Sequence, residues 1–165
     1  TSTQLIADSY ERYHRSVYLY IYYRINQKEE AEDLSQDVYL RLMDYKPMLR
    51  LDTVKFFIFT IARNLVNDWL RRYYKAQEIT SYLYDQTARS TNDTEDRLMV
   101  RDLMDCERGR MRLLPPQRRK VYALNRFQGK SSAEIAERMS LSRRTVENHL
   151  LISRKEVRNY IKQCI

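Results

Sequence analysis

Arg143, Arg144, Glu147 and Asn148 lie close together and are polar side chains of a kind that reads base edges. Arginine presents a fork to guanine and asparagine pairs with adenine, so a helix exposing this set suits the major groove of duplex DNA. Val146, Leu150 and Val157 fall at the spacing of the opposite, apolar face, which leaves Ser153 or Arg154 on the outward side.

Such a helix must be held at a fixed angle, and the residues before it supply the means. In SSAEIAERMSLSRRTVENHL (131–150), Ser131 and Glu134 have the S-x-x-E spacing of a capping box, so a short helix is expected from near Ser132. Ala133, Ile135, Ala136 and Met139 give that helix a small apolar face, and Ala136 is small enough to let a second helix cross closely. Ser142 can cap the second helix. Together these residues describe a helix-turn-helix.

Two other stretches carry polar side chains in patterns that could bind. In AEDLSQDVYLRL (31–42), Leu34, Val38 and Leu42 share one face while Glu32, Gln36, Asp37 and Arg41 lie elsewhere. This is either an acidic docking helix for a basic partner or a solvated face with its acids near the helix start. In FFIFTIARNLVNDWLRRYY (56–74), rings alternate with Arg63, Asn64, Asn67, Asp68, Arg71 and Arg72. Rings can stack on an unpaired base, amides can read its edge and arginines can hold phosphates; the alternative is that most of the rings are buried.

Catalytic chemistry finds less support. A two-metal nuclease would need carboxylates converging on paired ions, and Asp33 and Asp37 share a face without a His or a further acid to join them. His14 and His149 are isolated, no Gly-rich phosphate loop is present, and Cys106 and Cys164 lack metal-site spacing. The expectation is a non-enzyme with no cofactor and no metal. His149 reads as a DNA-facing or packing residue, and the two thiols as packing or surface residues of a reducing compartment.

The elements that carry these residues are helical. With two Gly and three Pro among 165 residues there are few punctuators for hairpins, and the long periodic segments predict an all-α protein. The spacing predicts helices over about 3–25, 29–44 and 53–75, the last capped by Asp52 or Thr53. The first is expected to bury a seam of Tyr10, Tyr13, Val17 and Tyr20 or Ile21. Polar residues accumulate from Ala76 to Asp93, which reads as a flexible linker. A further helix begins near Thr94, Pro115 and Pro116 open the next, and Gly129 can end it in a left-handed conformation. The fold class is thus two small helical domains, 1–75 and 94–165, joined by the linker 76–93, with the C-terminal one a helix-turn-helix.

Net charge is +8, unevenly placed: from Arg110 to Ile165 there are 14 Lys or Arg against 4 Asp or Glu. That basic field favours a polyanion such as nucleic acid. No stretch approaches the length of a membrane span and no charged-then-apolar leader is present, so a cytoplasmic protein without membrane insertion is expected.

The blocks in this order resemble the bacterial sigma factors of the extracytoplasmic-function (ECF) class, over most of the chain. AEDLSQDVYLRL is similar to their polymerase-docking helix, IARNLVNDWLRR to their promoter-melting helix, and LLPPQRRKVYALNRFQGKSSAEIAERMSLSRRTVENHL to the domain that reads the minus-thirty-five element. The resemblance implies that Glu32, Asp33, Leu34, Gln36, Asp37 and Arg41 dock core RNA polymerase. It implies that Asn64, Asp68, Arg71 and Arg72, with a base pocket in the loop of about 49–53, take the melted minus-ten element. For the minus-thirty-five duplex it implies readout by Arg143, Arg144, Glu147 and Asn148, with Lys130, Ser142, Thr145, Arg154 and Lys155 at phosphates. Promoter DNA, core RNA polymerase and an anti-sigma protein are the implied partners of a promoter-specific transcription initiation factor. Phe57 stands where the family commonly has Trp, and Ser140 where Gly is common. A response-regulator output domain is the competing resemblance, through TVENHL, and would leave residues 1 to 75 unexplained.

Overall fold

The computed structural model describes residues 1–80 and 95–164, with side chains through 76 in the first of these segments. Among the described residues there are seven α-helices, one short 3-10 turn and no strand: α1 Ser2–Ile25, α2 Lys28–Met43, α3 Val54–Thr80, α4 Glu95–Met111, α5 Pro116–Arg126, α6 Ser132–Met139 and α7 Arg143–Cys164, with the 3-10 turn at Lys46–Met48. The chain divides into two compact units, Thr1–Trp69 and Leu70–Ile165. The helix α3 continues to Thr80, past the end expected near Lys75, and the rest of the expected linker, 81–93, lies outside the described residues.

In the first unit α1 ends where Asn26 adopts a left-handed conformation (φ 55°) and donates its N–H to the Tyr22 carbonyl, 2.8 Å away. Asparagine tolerates this region better than most residues with a Cβ, which is why the turn needs no glycine. The core joins Val17, Ile21 and Ile25 of α1, Ala31, Val38 and Leu42 of α2, and Val54, Ile58, Ala62 and Val66 of α3. Each set keeps the three-to-four spacing that makes one buried stripe. The seam of α1 differs from the expected one, since Ile6 and Ser9 are buried while Tyr10 is exposed, stacked on His14 and edge-on to Tyr39 at 4.9 Å. A phenol can lie over the rim with its hydroxyl in water, so aromatic spacing overstates burial.

The entry to α3 also departs from expectation. Asp52 pairs with Arg50 at 3.4 Å and the Thr53 hydroxyl donates to the Arg50 carbonyl, so both side chains serve the preceding turn rather than a side-chain cap.

In the second unit α7 packs against α4, α5 and α6. One cluster joins Val121, Leu124, Ile135, Ala136, Val146 and Leu150; a second joins Leu114, Tyr122 and Val157. Pro116 opens α5, where its missing amide is harmless. Gly129 (φ 68°) turns the chain after α5, its N–H bonded to the Asn125 carbonyl at 3.1 Å. Ala133 is exposed rather than part of the apolar face of α6, which rests on Ile135 and Ala136.

Candidate nucleic-acid and partner surfaces

The tertiary setting of α7 begins at its caps. Ser131 accepts from the Glu134 N–H at 3.2 Å, and its hydroxyl donates to the Glu134 carboxylate at 3.1 Å, a variant of the expected capping box. Ser140 closes α6 in a left-handed conformation (φ 55°, ψ 43°). Ser142 then accepts from the Thr145 N–H at 3.1 Å and shares a 2.8 Å hydrogen bond with the Thr145 hydroxyl. Of the two hydroxyl protons one is used between the pair, so one is left to donate outward.

Along α7, Val146, Leu150, Ser153 and Val157 are buried, and Arg143, Arg144, Glu147, Asn148, Arg154 and Lys155 are exposed. Ser153 was one of two outward candidates and is 0% exposed, because the core stripe runs 146, 150, 153, 157 and passes through it. On the outward stripe Arg143 Nε donates to Glu147 Oε1 at 3.0 Å. The side chains of Arg144 and Asn148 have no hydrogen-bond partner among the described residues.

The phosphate candidates are positioned unequally. Arg154 donates to Asn125 Oδ1 at 2.8 Å, and the same amide donates to the Lys130 carbonyl at 2.9 Å, so one α5 side chain links the Lys130 turn to α7. Lys130 is half-buried and Lys155 exposed. His149 is half-buried with Nε2 3.3 Å from Gln117 Oε1, which makes it a packing residue between α7 and α5.

In the first unit, α2 exposes Glu32, Asp33, Gln36, Asp37 and Arg41 and buries Leu34 with Val38 and Leu42. Leu34 is 7% exposed and packs beneath the exposed polar face. Of the apolar residues that α2 does present, Leu40 is 60% exposed and Met43 48%, and at 100° per residue Leu40 falls between Gln36 and Asp37 around the helix. Sequence reading missed it because Leu40 sits off the 34, 38, 42 stripe; that offset was itself the available signal.

On α3, Asn64 and Asp68 are exposed one turn apart, and Arg71 and Arg72 are exposed further along. Asn67 instead accepts from Arg24 at 3.2 Å and helps hold α1 to α3. The rings divide as well. Phe57 packs on Tyr45 (5.9 Å between centroids) and Phe59 on Tyr20 (6.0 Å), whereas Phe56 is 73% exposed beside the loop 49–53. In that loop Leu49 is buried and anchors the turn, leaving Arg50, Leu51 and Asp52 outward.

Among the described residues no three His, Cys, Asp or Glu come together in a way that could hold a metal ion, and no helix is long and apolar enough to cross a membrane.

Two family models match the chain. Residues 9–76 match Sigma-70 region 2 and residues 106–157 match Sigma-70, region 4. The chain is similar to the RNA polymerase sigma factor SigZ of Bacillus subtilis, with 24% identity over 96% of this chain and 88% of that protein. It is similar to the ECF RNA polymerase sigma factor SigX of the same organism, with 27% identity over 84% and 74%. Against the ECF RNA polymerase sigma factor BldN of Streptomyces coelicolor, identity is 33% over 79% of this chain and 50% of that protein.

Proposed function

Because this chain belongs to the sigma-70 family, as an ECF RNA polymerase sigma factor, we propose a division of its work between the surfaces described above. It binds core RNA polymerase and directs promoter-specific transcription initiation. Residues 1–75 take core docking and the minus-ten element, 94–165 take the minus-thirty-five element, and 76–93 connect them.

The observation that carries this reading is the sorting of α7, with the stripe 146, 150, 153, 157 buried and Arg143, Arg144, Glu147 and Asn148 facing out. Lys130, Ser142, Thr145, Arg154 and Lys155 flank that stripe and supply cations and hydroxyls for phosphates, the sequence-independent share of the grip. The acidic face of α2 (Glu32, Asp33, Gln36, Asp37 and Arg41, with Leu40 at its centre) docks a basic surface of the polymerase. Asn64, Asp68, Arg71 and Arg72, with the exposed ring of Phe56, hold bases of the opened strand. Binding only the open form shifts the duplex toward melting.

Catalysis of RNA synthesis belongs to the polymerase, and the chain itself is non-enzymatic. Its place is the cytoplasm, where the polymerase and promoter DNA are found. An anti-sigma protein is the partner expected to cover one or both DNA-binding surfaces. A response-regulator output protein is not favoured: the first unit has helices and no strand among its described residues and matches Sigma-70 region 2.

Run-off transcription with purified core polymerase over a promoter library tests the reading. The expected result is RNA initiated from a sequence-related subset of promoters, lost with a folded Asp37→Lys variant that no longer captures core enzyme. A chain that never programs the polymerase would overturn it.

A further inference from the structure

Arg143 and Glu147 meet across one turn of α7, with Nε of the guanidinium 3.0 Å from Glu147 Oε1. Engaging Nε holds the planar fork by its side edge and leaves the end edge, with one N–H from each terminal NH2 group, without a partner among the described residues. Two parallel donors are what the O6 and N7 acceptors of guanine require. Both side chains are exposed, and an exposed pair of this spacing adds little to stability. Its effect is instead on freedom: an arginine loses much rotamer entropy on binding, and a partner that restricts it beforehand removes part of that cost.

We infer that Glu147 is a positioning residue that holds Arg143 for guanine and does not itself read a base. Arg144 and Asn148, on the same stripe, have no corresponding brace among the described residues. Two physical consequences follow. Specificity at one base pair belongs to the Arg143–Glu147 pair jointly. A Glu147 left alone in an Arg143→Ala background places an unpaired carboxylate against the acceptor-rich guanine edge, where it repels. The inference rests on the reading of α7 as the minus-thirty-five recognition helix.

The test uses holoenzyme reconstituted from the full chain and core polymerase, presented with duplex promoters randomised across the upstream element, the bound fraction being sequenced. Arg143→Ala is expected to abolish the preference for guanine at one base pair. Glu147→Ala should reduce preference at that same base pair by roughly 3- to 30-fold, part of the discrimination of a bidentate contact, with other positions kept. Glu147→Gln, which retains an acceptor oxygen, should keep most of it. In the Arg143→Ala background, Glu147→Ala should cost nothing further at that base pair and should raise overall affinity. The inference is overturned if Glu147→Ala changes preference at a different base pair, which makes it a direct reader, or leaves every preference unchanged. Absence of any sequence preference in the wild-type holoenzyme, unaffected by Arg144→Ala and Asn148→Ala, would instead overturn the reading of α7 itself.

Discussion

The carboxylate of Glu107 on α4, 2% exposed, accepts a 2.7 Å hydrogen bond from Nε of Arg126 on α5. The Tyr122 hydroxyl donates to the same oxygen at 2.6 Å. Removing a carboxylate from water costs several kcal/mol, and only donors in good geometry offset it. A basic domain thus keeps one of its acids inside, as a tie between two helices that frame α7.

Arg126→Ala should therefore destabilise the second unit by about 2–4 kcal/mol, slightly below the range for fully buried pairs because Arg126 retains some exposure. Replacing both Glu107 and Arg126 with leucine should cost less than the single change, since no charge is then left unpaired. Urea unfolding followed by far-UV circular dichroism measures both, and a double variant less stable than Arg126→Ala would contradict the account.

Ser140 holds φ 55° at the turn between α6 and α7. Glycine reaches this conformation without the Cβ conflict, so Ser140→Gly should raise stability by about 0.5–1 kcal/mol, while Ser140→Val, β-branched at the same φ, should lower it. Thermal unfolding midpoints decide the sign.

Leu40 and Leu42 differ by two positions and lie on opposite sides of α2. Leu40→Glu should leave unfolding within about 0.5 kcal/mol of wild type and still weaken pull-down of core polymerase, whereas Leu42→Ala should cost about 2–5 kcal/mol of stability. Unchanged capture of core enzyme by Leu40→Glu would remove that residue from the docking surface.

A hydrogen bond donated by the Cys106 S–H to the Cys164 sulfur, and then burial, push the Cys106 thiol up to about 11. Thiolate is the reacting form, so at pH 8 iodoacetamide should label the exposed Cys164 well before Cys106. The rate at Cys106 should climb about tenfold per pH unit until the pH nears that value. Cys164→Ala removes the partner and should speed labelling of Cys106 at pH 8; equal rates in the two proteins, read by mass spectrometry, would exclude the hydrogen bond as the cause.

What the sequence determined by itself was whatever depends on neighbours within about one helical turn. The helices α1, α2 and α4 to α7, the Ser131 and Ser142 caps, the Pro116 start, the left-handed Gly129, and the outward set Arg143, Arg144, Glu147 and Asn148 all rest on capping and on the 3.6-residue period, and both are local. Tertiary structure decided the rest. Asn67 faces Arg24 across 43 residues, His149 meets Gln117 across 32 and Arg154 meets Asn125 across 29. Glu107 is buried, Ser153 joins the core stripe and Leu40 stays outside it. Which of two polar faces is spent on holding helices together, and which is left for a partner, depends on the helix placed opposite, and no local pattern encodes that placement.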